Sequence, residues 1–169
     1  MIQLYKGDQK DFDFYYEVKS EPSTIHWEGY SQKPDREKLL QFFNELVGNR
    51  LNKHIFFIKD DDKDESYGYI QLTFVEASVI EIGYAVSERF RGKGYGQFAI
   101  ESIKKEKDYL DKVLTGFVAE NNIASFTCFE KNGFKKTNIY RVSYFPFFER
   151  NIKLYQYVFE REKFYTHER

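Results

Sequence analysis

A chain of 169 residues with 26 basic and 27 acidic side chains has a net charge of -1, so no global field recruits nucleic acid or an anionic membrane and any anion must be met locally. The length suits one domain with a core that holds without disulfides or metals, and the single cysteine, Cys128, excludes an intrachain disulfide framework. The first residues lack a signal-like apolar segment and no run approaches about 18 apolar residues, so the sequence leads us to expect a cytoplasmic protein outside the membrane.

In chain order, IQLY (2–5) predicts a strand, and DQKDFDFYYEVKS a helix with Phe12, Tyr15, Tyr16 and Val18 at helical spacing. HWEGYSQ is turn-like. Pro34 and Asp35 open a second helix in which Leu39, Leu40, Phe42, Phe43, Leu46 and Val47 form a broad apolar stripe, stopped by Gly48 and Asn49. HIFFIK (54–59), YGYIQLTFVEA (67–77) and VIEIGYAV (79–86) predict three strands. The acidic run KDDDKDES between the first two lacks the spaced ligands and the glycine of a calcium loop.

After the stretch RFRGKGYGQ, Phe98, Ala99, Ile100, Ile103 and Leu110 predict a helix and KVLTGFVAE (112–120) a strand. ASFTCFEKNGF predicts a short helix capped by Asn121 or Asn122 and ended by Gly133. KKTNIYRVSYF (135–145) and NIKLYQYVFERE (151–162) close the chain as an antiparallel pair. The fold class is mixed α/β: a central, mostly antiparallel twisted sheet of about seven strands flanked by about four helices, with a βαβ unit at its heart. Phe and Tyr supply 18 and 14 residues, so aromatic rings fill much of the core.

The glycine stretch is where chemistry concentrates. Gly92, Gly94 and Gly96 remove side chains where backbone N–H groups can converge on an anion, at a helix N-terminus that favours negative charge, and Arg89 and Arg91 stand just before them. A phosphate or pyrophosphate is the natural guest. The dinucleotide fingerprint fails because position 97 is Gln97, and the Walker loop fails because Gly92-Lys93 is followed by Gly94.

What remains, R-G-K-G-Y-G, resembles the pyrophosphate loop Q/R-x-x-G-x-G/A of the GNAT acetyltransferase superfamily, satisfied here by Arg91, Gly94 and Gly96. The preceding strand, the following helix and strand, and NNIASFTCFEKNGF, which resembles the family's N-x-x-A/S…E-K-x-G-F segment, supply the context. The resemblance implies one acetyltransferase domain over 1–169: acceptor-side elements in 1–53, an acetyl-coenzyme A core in 54–133 and a C-terminal strand pair and tail in 134–169. It implies that the pantetheine arm pairs with Tyr84, Ala85 and Val86 like an added strand. The pyrophosphate would fall on Arg91, Gly92, Lys93, Gly94, Tyr95, Gly96 and Gln97, with Asn122 reaching the pantetheine; Asn122 also suits a helix cap.

Acetyl transfer to an amine needs a proton acceptor and a proton for the leaving thiolate. The family's usual tyrosine acid is Phe129 here, which has no proton to give. This departure resembles the branch of ribosomal-protein N-terminal and small-amine acetyltransferases and implies Ser125 as acid or thiolate anchor; Ser125 also suits a helix cap, and Cys128 and Tyr140 are fallback donors. Strand alternation sets Glu81 apart from Ile80, Ile82, Tyr84 and Val86, which makes it the candidate base, a substrate-amine anchor or a surface residue, with a β-bulge near it in relatives. The resemblance implies an acceptor site built from the first helices, the loop between them and the last hairpin, which here offer Trp27, Glu28 and Tyr30, then Tyr140, Tyr144 and the run Phe145-Pro146-Phe147-Phe148; aromatic faces and a carboxylate would attract a cationic amine, and these aromatics equally suit core or a dimer surface.

The expected activity is N-acetyl transfer from acetyl-coenzyme A to a primary amine of a small molecule or a protein N-terminus, by direct attack in a ternary complex. A non-catalytic acyl-coenzyme A sensor and an O-acyltransferase are the alternatives on the same scaffold. The expected partners are acetyl-coenzyme A and an amine, without nucleic acid or membrane, in a monomer or homodimer. His26, His54 and His167 lack metal spacing, so no metal is expected.

Overall fold

The alternating segments form the strands of one sheet in a computed structural model that describes residues 1–161. The chain runs β1 (Ile2–Lys6), α1 (Phe12–Lys19), α2 (Pro22–Trp27), α3 (Arg36–Val47), β2 (Lys53–Asp60), β3 (Glu65–Glu76) and β4 (Val79–Val86). It continues through α4 (Tyr95–Lys105), β5 (Val113–Ala119), α5 (Ile123–Lys131), β6 (Lys135–Phe145) and β7 (Arg150–Phe159). The sheet order is β1-β2-β3-β4-β5-β7-β6, and only β4 and β5 pair in parallel, across the α4 crossover. The expected seven-strand, mostly antiparallel α/β sheet with a βαβ heart is thus present.

Helix α2 lies where only a turn was expected. Glu21 is extended and Pro22 occupies the first helical turn, where its fixed φ favours entry; the helix takes in His26 and Trp27 and gives way to Gly29 at φ +80°. With it the described residues hold five α-helices rather than about four. Helix α4 stops at Lys105 because Glu106 is extended, so Leu110 falls beyond a 3-10 turn and is 46% exposed rather than helical core. The last strand ends at Phe159; the expected end at Glu162, and His167, lie outside the described residues. Among the described residues no helix is long and apolar enough to cross a membrane.

Two layers of helix cover the sheet. Side chains alternate along β2, so Ile55 and Phe57 pack with Phe12, Tyr15, Val18 and Phe43 of α1 and α3. Ile58 joins Ile80, Ile82, Ile100, Ile103 and Phe129 on the opposite face, under α4 and α5. A smaller cluster of Ala119, Phe145 and Ile152 packs with Trp27 at the end of α2. α3 starts where Pro34 and Asp35 were expected to open it, with the Asp35 carboxylate accepting from the Lys38 N–H at 2.9 Å as an N-cap.

Phe129 is 2% exposed, and its ring lies beside Tyr84, Phe134 and Tyr157. It comes so close to β5 that a Cβ on Gly116 would sit 2.5 Å from its Cζ. Gly116→Ala should therefore overpack this junction and lower unfolding free energy by about 1–3 kcal/mol, read as a shift of the urea midpoint at unchanged slope. An unchanged midpoint would show that the ring moves aside at no cost.

Candidate active site

The parallel pair is short. β4 and β5 are in register only at Val79–Val113, Ile80–Leu114 and Glu81–Thr115. Beyond Glu81 they part, leaving the inner edges of Ile82–Val86 and Gly116–Ala119 free of each other's main chain. A cleft of about 520 Å3 opens at this fork and runs from the glycine loop to α2. Unpaired strand edge in a cleft is a site for a ligand that carries its own amides.

At one end the loop has the geometry its composition suggested. Gly92 and Gly94 adopt φ +75° and +84°, and a Cβ on either would meet nothing within 4 Å. Glycine is required there by backbone conformation rather than by crowding. Gly94 caps α4 without any side-chain cap, so the first-turn N–H groups are left for water or an anion. Gly96 has a different reason: a Cβ there would lie 2.6 Å from Tyr84 Cε2.

The basic side chains divide. Arg91 lines the cleft, but its Nε donates to the Val86 carbonyl at 3.0 Å and its Nη1 donates to Ser23 Oγ. It therefore fastens the loop to β4 and to α2. Arg89 lies 3.9 Å from Glu17, and Lys93 is exposed with Nζ 5.8 Å from the Phe90 ring centre. Neither lines the cleft. Gln97 lies away from it too, beside a separate hollow with Lys104 and Lys131, where its carbonyl accepts from Asn132. The expectation for Lys93 and Gln97 rests on the main-chain N–H groups of the loop and the start of α4; their side chains are not part of the cleft lining. Tyr95 lines the cleft but stacks on Tyr67 at 4.4 Å, which holds the loop down.

Along the cleft lie Tyr84, Ala85 and Val86 from β4 and Asn122 and Ser125 from α5. The Asn122 side chain accepts from the Ser125 N–H at 3.3 Å, so the cap reading holds at a position that still faces the cleft. The Tyr84 hydroxyl sits by Cys128 and Ser125; burial first, then the thiol, push its pKa up, while the Ser125 hydroxyl pulls the other way. Tyr84 is thus a protonated phenol beside Ser125, a contact that the sequence reading, which used only its main chain, did not find. Tyr140 is on β6, 49% exposed and tilted against Tyr155, outside the cleft.

Glu81 is the last paired residue before the fork. Its carboxylate accepts from Arg141 Nη2 at 2.8 Å, and the guanidinium stacks 3.6 Å over Phe117. The expected base is therefore half of an ion pair at the edge of the cleft rather than a free carboxylate. The irregularity expected near it falls on the neighbouring strand, between Phe74 and Glu76 of β3, and β4 keeps continuous register from Ile80 to Val86.

At the far end Trp27 and Glu28 line the cleft as expected, joined by Lys19, Ser23, Thr24, Tyr69 and Gln71. Tyr30 and Tyr144 do not: they are 62% and 55% exposed. Tyr30 lies past the α2 turn, and on β6 the alternate residue Phe145 packs inward, which turns Tyr144 to the opposite face. Lys19 donates to Glu28 Oε1 at 2.8 Å, and Tyr69 Oη donates to the same oxygen at 3.3 Å. Burial alone would lower the Lys19 ammonium pKa, but Tyr69, Tyr15 and Glu28 around it carry it above its usual value. Among the described residues no three His, Cys, Asp or Glu side chains converge as a metal set.

Comparison with known proteins agrees with this arrangement. A spermidine N-acetyltransferase from Vibrio cholerae, solved with CoA and spermine, superposes with a TM-score of 0.80 at 15% identity, covering 94% of each chain. A GNAT-family acetyltransferase from Bacillus anthracis gives 0.77 at 18% identity, covering 94% of this chain and 93% of that one. An aminoglycoside acetyltransferase solved with coenzyme A gives 0.75 at 16%, covering 95% of each. No curated protein matches by sequence. These likenesses establish a shared fold, and the family model for the acetyltransferase (GNAT) domain matches residues 2–135 of the sequence itself. With loop, fork and sequence match in agreement over that span, the chain belongs to the GNAT acetyltransferase family.

Proposed function

We propose that this protein transfers an acetyl group from acetyl-coenzyme A to a primary amine, by direct attack with both substrates bound. One observation carries the reading: the fork between β4 and β5 joins a phosphate-type loop on one side to a polar chamber on the other through a single cleft. A cofactor threaded from the loop can present its thioester at the fork while an acceptor waits on the α1–α2 side. Solved relatives of the same fold include enzymes named for spermidine and for aminoglycosides, both amines, which favours nitrogen over oxygen as the acceptor atom.

The residues fit the cofactor. Gly92 and Gly94 leave a bare cradle at the start of α4, and the free edge of Ile82–Val86 can take amides. When bound, acetyl-coenzyme A supplies an electrophilic thioester carbon. In the transfer the amine nitrogen forms a bond to that carbon, the C–S bond breaks, and the proton lost by nitrogen ends on sulfur. Ser125, whose main-chain N–H donates to the Asn122 side chain and whose hydroxyl lies next to the Tyr84 phenol, would give a hydrogen bond to the departing sulfur. Ser125→Ala should then lower kcat by about 100-fold, the low end for an acid–base contribution, with acetyl-coenzyme A affinity within about two-fold. Equal kcat in the variant would leave Ser125 a structural residue.

The test of the function is coenzyme A release from acetyl-coenzyme A against polyamines, aminoglycosides, amino sugars, amino acids and N-terminal peptides. Turnover with any of these establishes the activity. The buried phenyl of Phe129, in place of the family's tyrosine acid, favours a second reading as an acyl-coenzyme A sensor; tight acetyl-coenzyme A binding without turnover of any amine would select it.

A further inference from the structure

The acceptor chamber has a floor and two charged rims. On the α1–α2 face of the sheet β4 presents Ala85, Gly83 and Glu81 in succession, in register with Tyr69, Gln71 and Thr73 of β3. Gly83 is the bare centre: exposed, with nothing within 4 Å of where a Cβ would be. At the Ala85 end stands the Lys19–Glu28 pair at 2.8 Å, and at the other end the Arg141–Glu81 pair, also at 2.8 Å. The floor is therefore bounded by two cations and two anions.

That balance discriminates among amines. A polycation would bring several positive charges to a chamber where each carboxylate already has a partner, and one of them would approach the Lys19 ammonium. A carboxylate gains instead. Among the described residues Glu28 is the one carboxylate within ion-pair distance of Lys19, which leaves further N–H donors of the ammonium. The Tyr69 hydroxyl and the Gln71 amide line the same wall. The step from Ala85 to Gly83 is about 7 Å, about the reach of an amino acid from amine nitrogen through its carboxylate to a hydrogen-bond donor.

We propose that the acceptor is a zwitterion, an amine that carries its own carboxylate, lying along β4 with the carboxylate at Lys19 and the amine over Gly83 at the fork. This rests on the acetyl-transfer reading above and narrows its substrate class.

The test is isothermal titration of coenzyme A-saturated full-length protein with the standard L-amino acids, each against its α-amide, and with spermidine and kanamycin as polycations. At least one amino acid should bind about ten-fold or more tightly than its amide, with that preference lost in Lys19→Gln and kept in Lys19→Arg. Tighter binding of a polycation than of every amino acid overturns the proposal. So does equal binding of acid and amide, a preference that survives Lys19→Gln, or no amino acid binding to protein that still binds coenzyme A; in these cases the acetyl-transfer reading stands. Failure to bind coenzyme A removes that reading and this one together. Should Lys19→Gln not fold, the acid–amide comparison in the unsubstituted protein and in Lys19→Arg decides.

Discussion

Gly94→Asp is expected to fold normally and to lose coenzyme A affinity by at least about 100-fold, equivalent to about 2.7 kcal/mol. Gly94 holds φ +84°, and a left-handed residue costs most L-amino acids about 1–2 kcal/mol. Asp and Asn are the side chains that tolerate this region best. A Cβ at this position meets nothing within 4 Å, so the fold has room for the substitution. The space it fills is the cradle, and the charge it adds opposes a pyrophosphate at the start of α4. Gly94→Asn, nearly the same shape without the charge, should lose clearly less affinity. Calorimetric titration of coenzyme A with all three proteins, alongside their melting curves, separates the cases. Retained affinity in a folded Gly94→Asp would mean that the phosphates bind elsewhere.

Gly83→Val should have the opposite profile, with coenzyme A bound normally and turnover nearly lost. The residue is in ordinary extended backbone on β4, where a β-branched side chain is well suited. Since a Cβ there meets no neighbour, melting temperature should change little. Yet the side chain would rise from the middle of the acceptor floor, between Gln71 and the fork. Displacing a reacting atom by about 1 Å can cost about 100-fold in rate, and a valine displaces it further. Steady-state kinetics should show kcat/KM for the amine down by about 100-fold or more. Unchanged kinetics would place the acceptor on another surface.

Much of this was legible in the chain. Alternation and helical spacing located all seven strands, and the three glycines marked the loop before any geometry was known. The side chains that tune the site were harder to find. Lys19 and Glu28 are nine residues apart with α2 between them, and that helix hid behind a proline and β-branched residues, so nothing in the spacing brought the pair together. Arg141 reaches Glu81 across 60 positions, from a strand whose neighbours depend on the β5-β7-β6 order. At Lys93 and Gln97 adjacency in the sequence said nothing of the side chains, which are not part of the cleft lining although the main chain between them forms the loop and the start of α4.

The attachment of α2 to the glycine loop joins the two halves of the cleft. Arg91 holds Ser23 and Val86 together, while the Glu21 carboxylate accepts from the Glu88 N–H at 3.0 Å and Glu88 accepts from the Ser23 hydroxyl at 2.6 Å. Thr24 and Trp27, which line the far end of the cleft, lie on this same short helix. A ligand that repositions Arg91 must therefore shift the wall at the far end of the cleft. The occupancy of one end becomes a free-energy coupling to the other, and by reciprocity whatever factor a ligand at one end contributes to affinity at the other is returned to it.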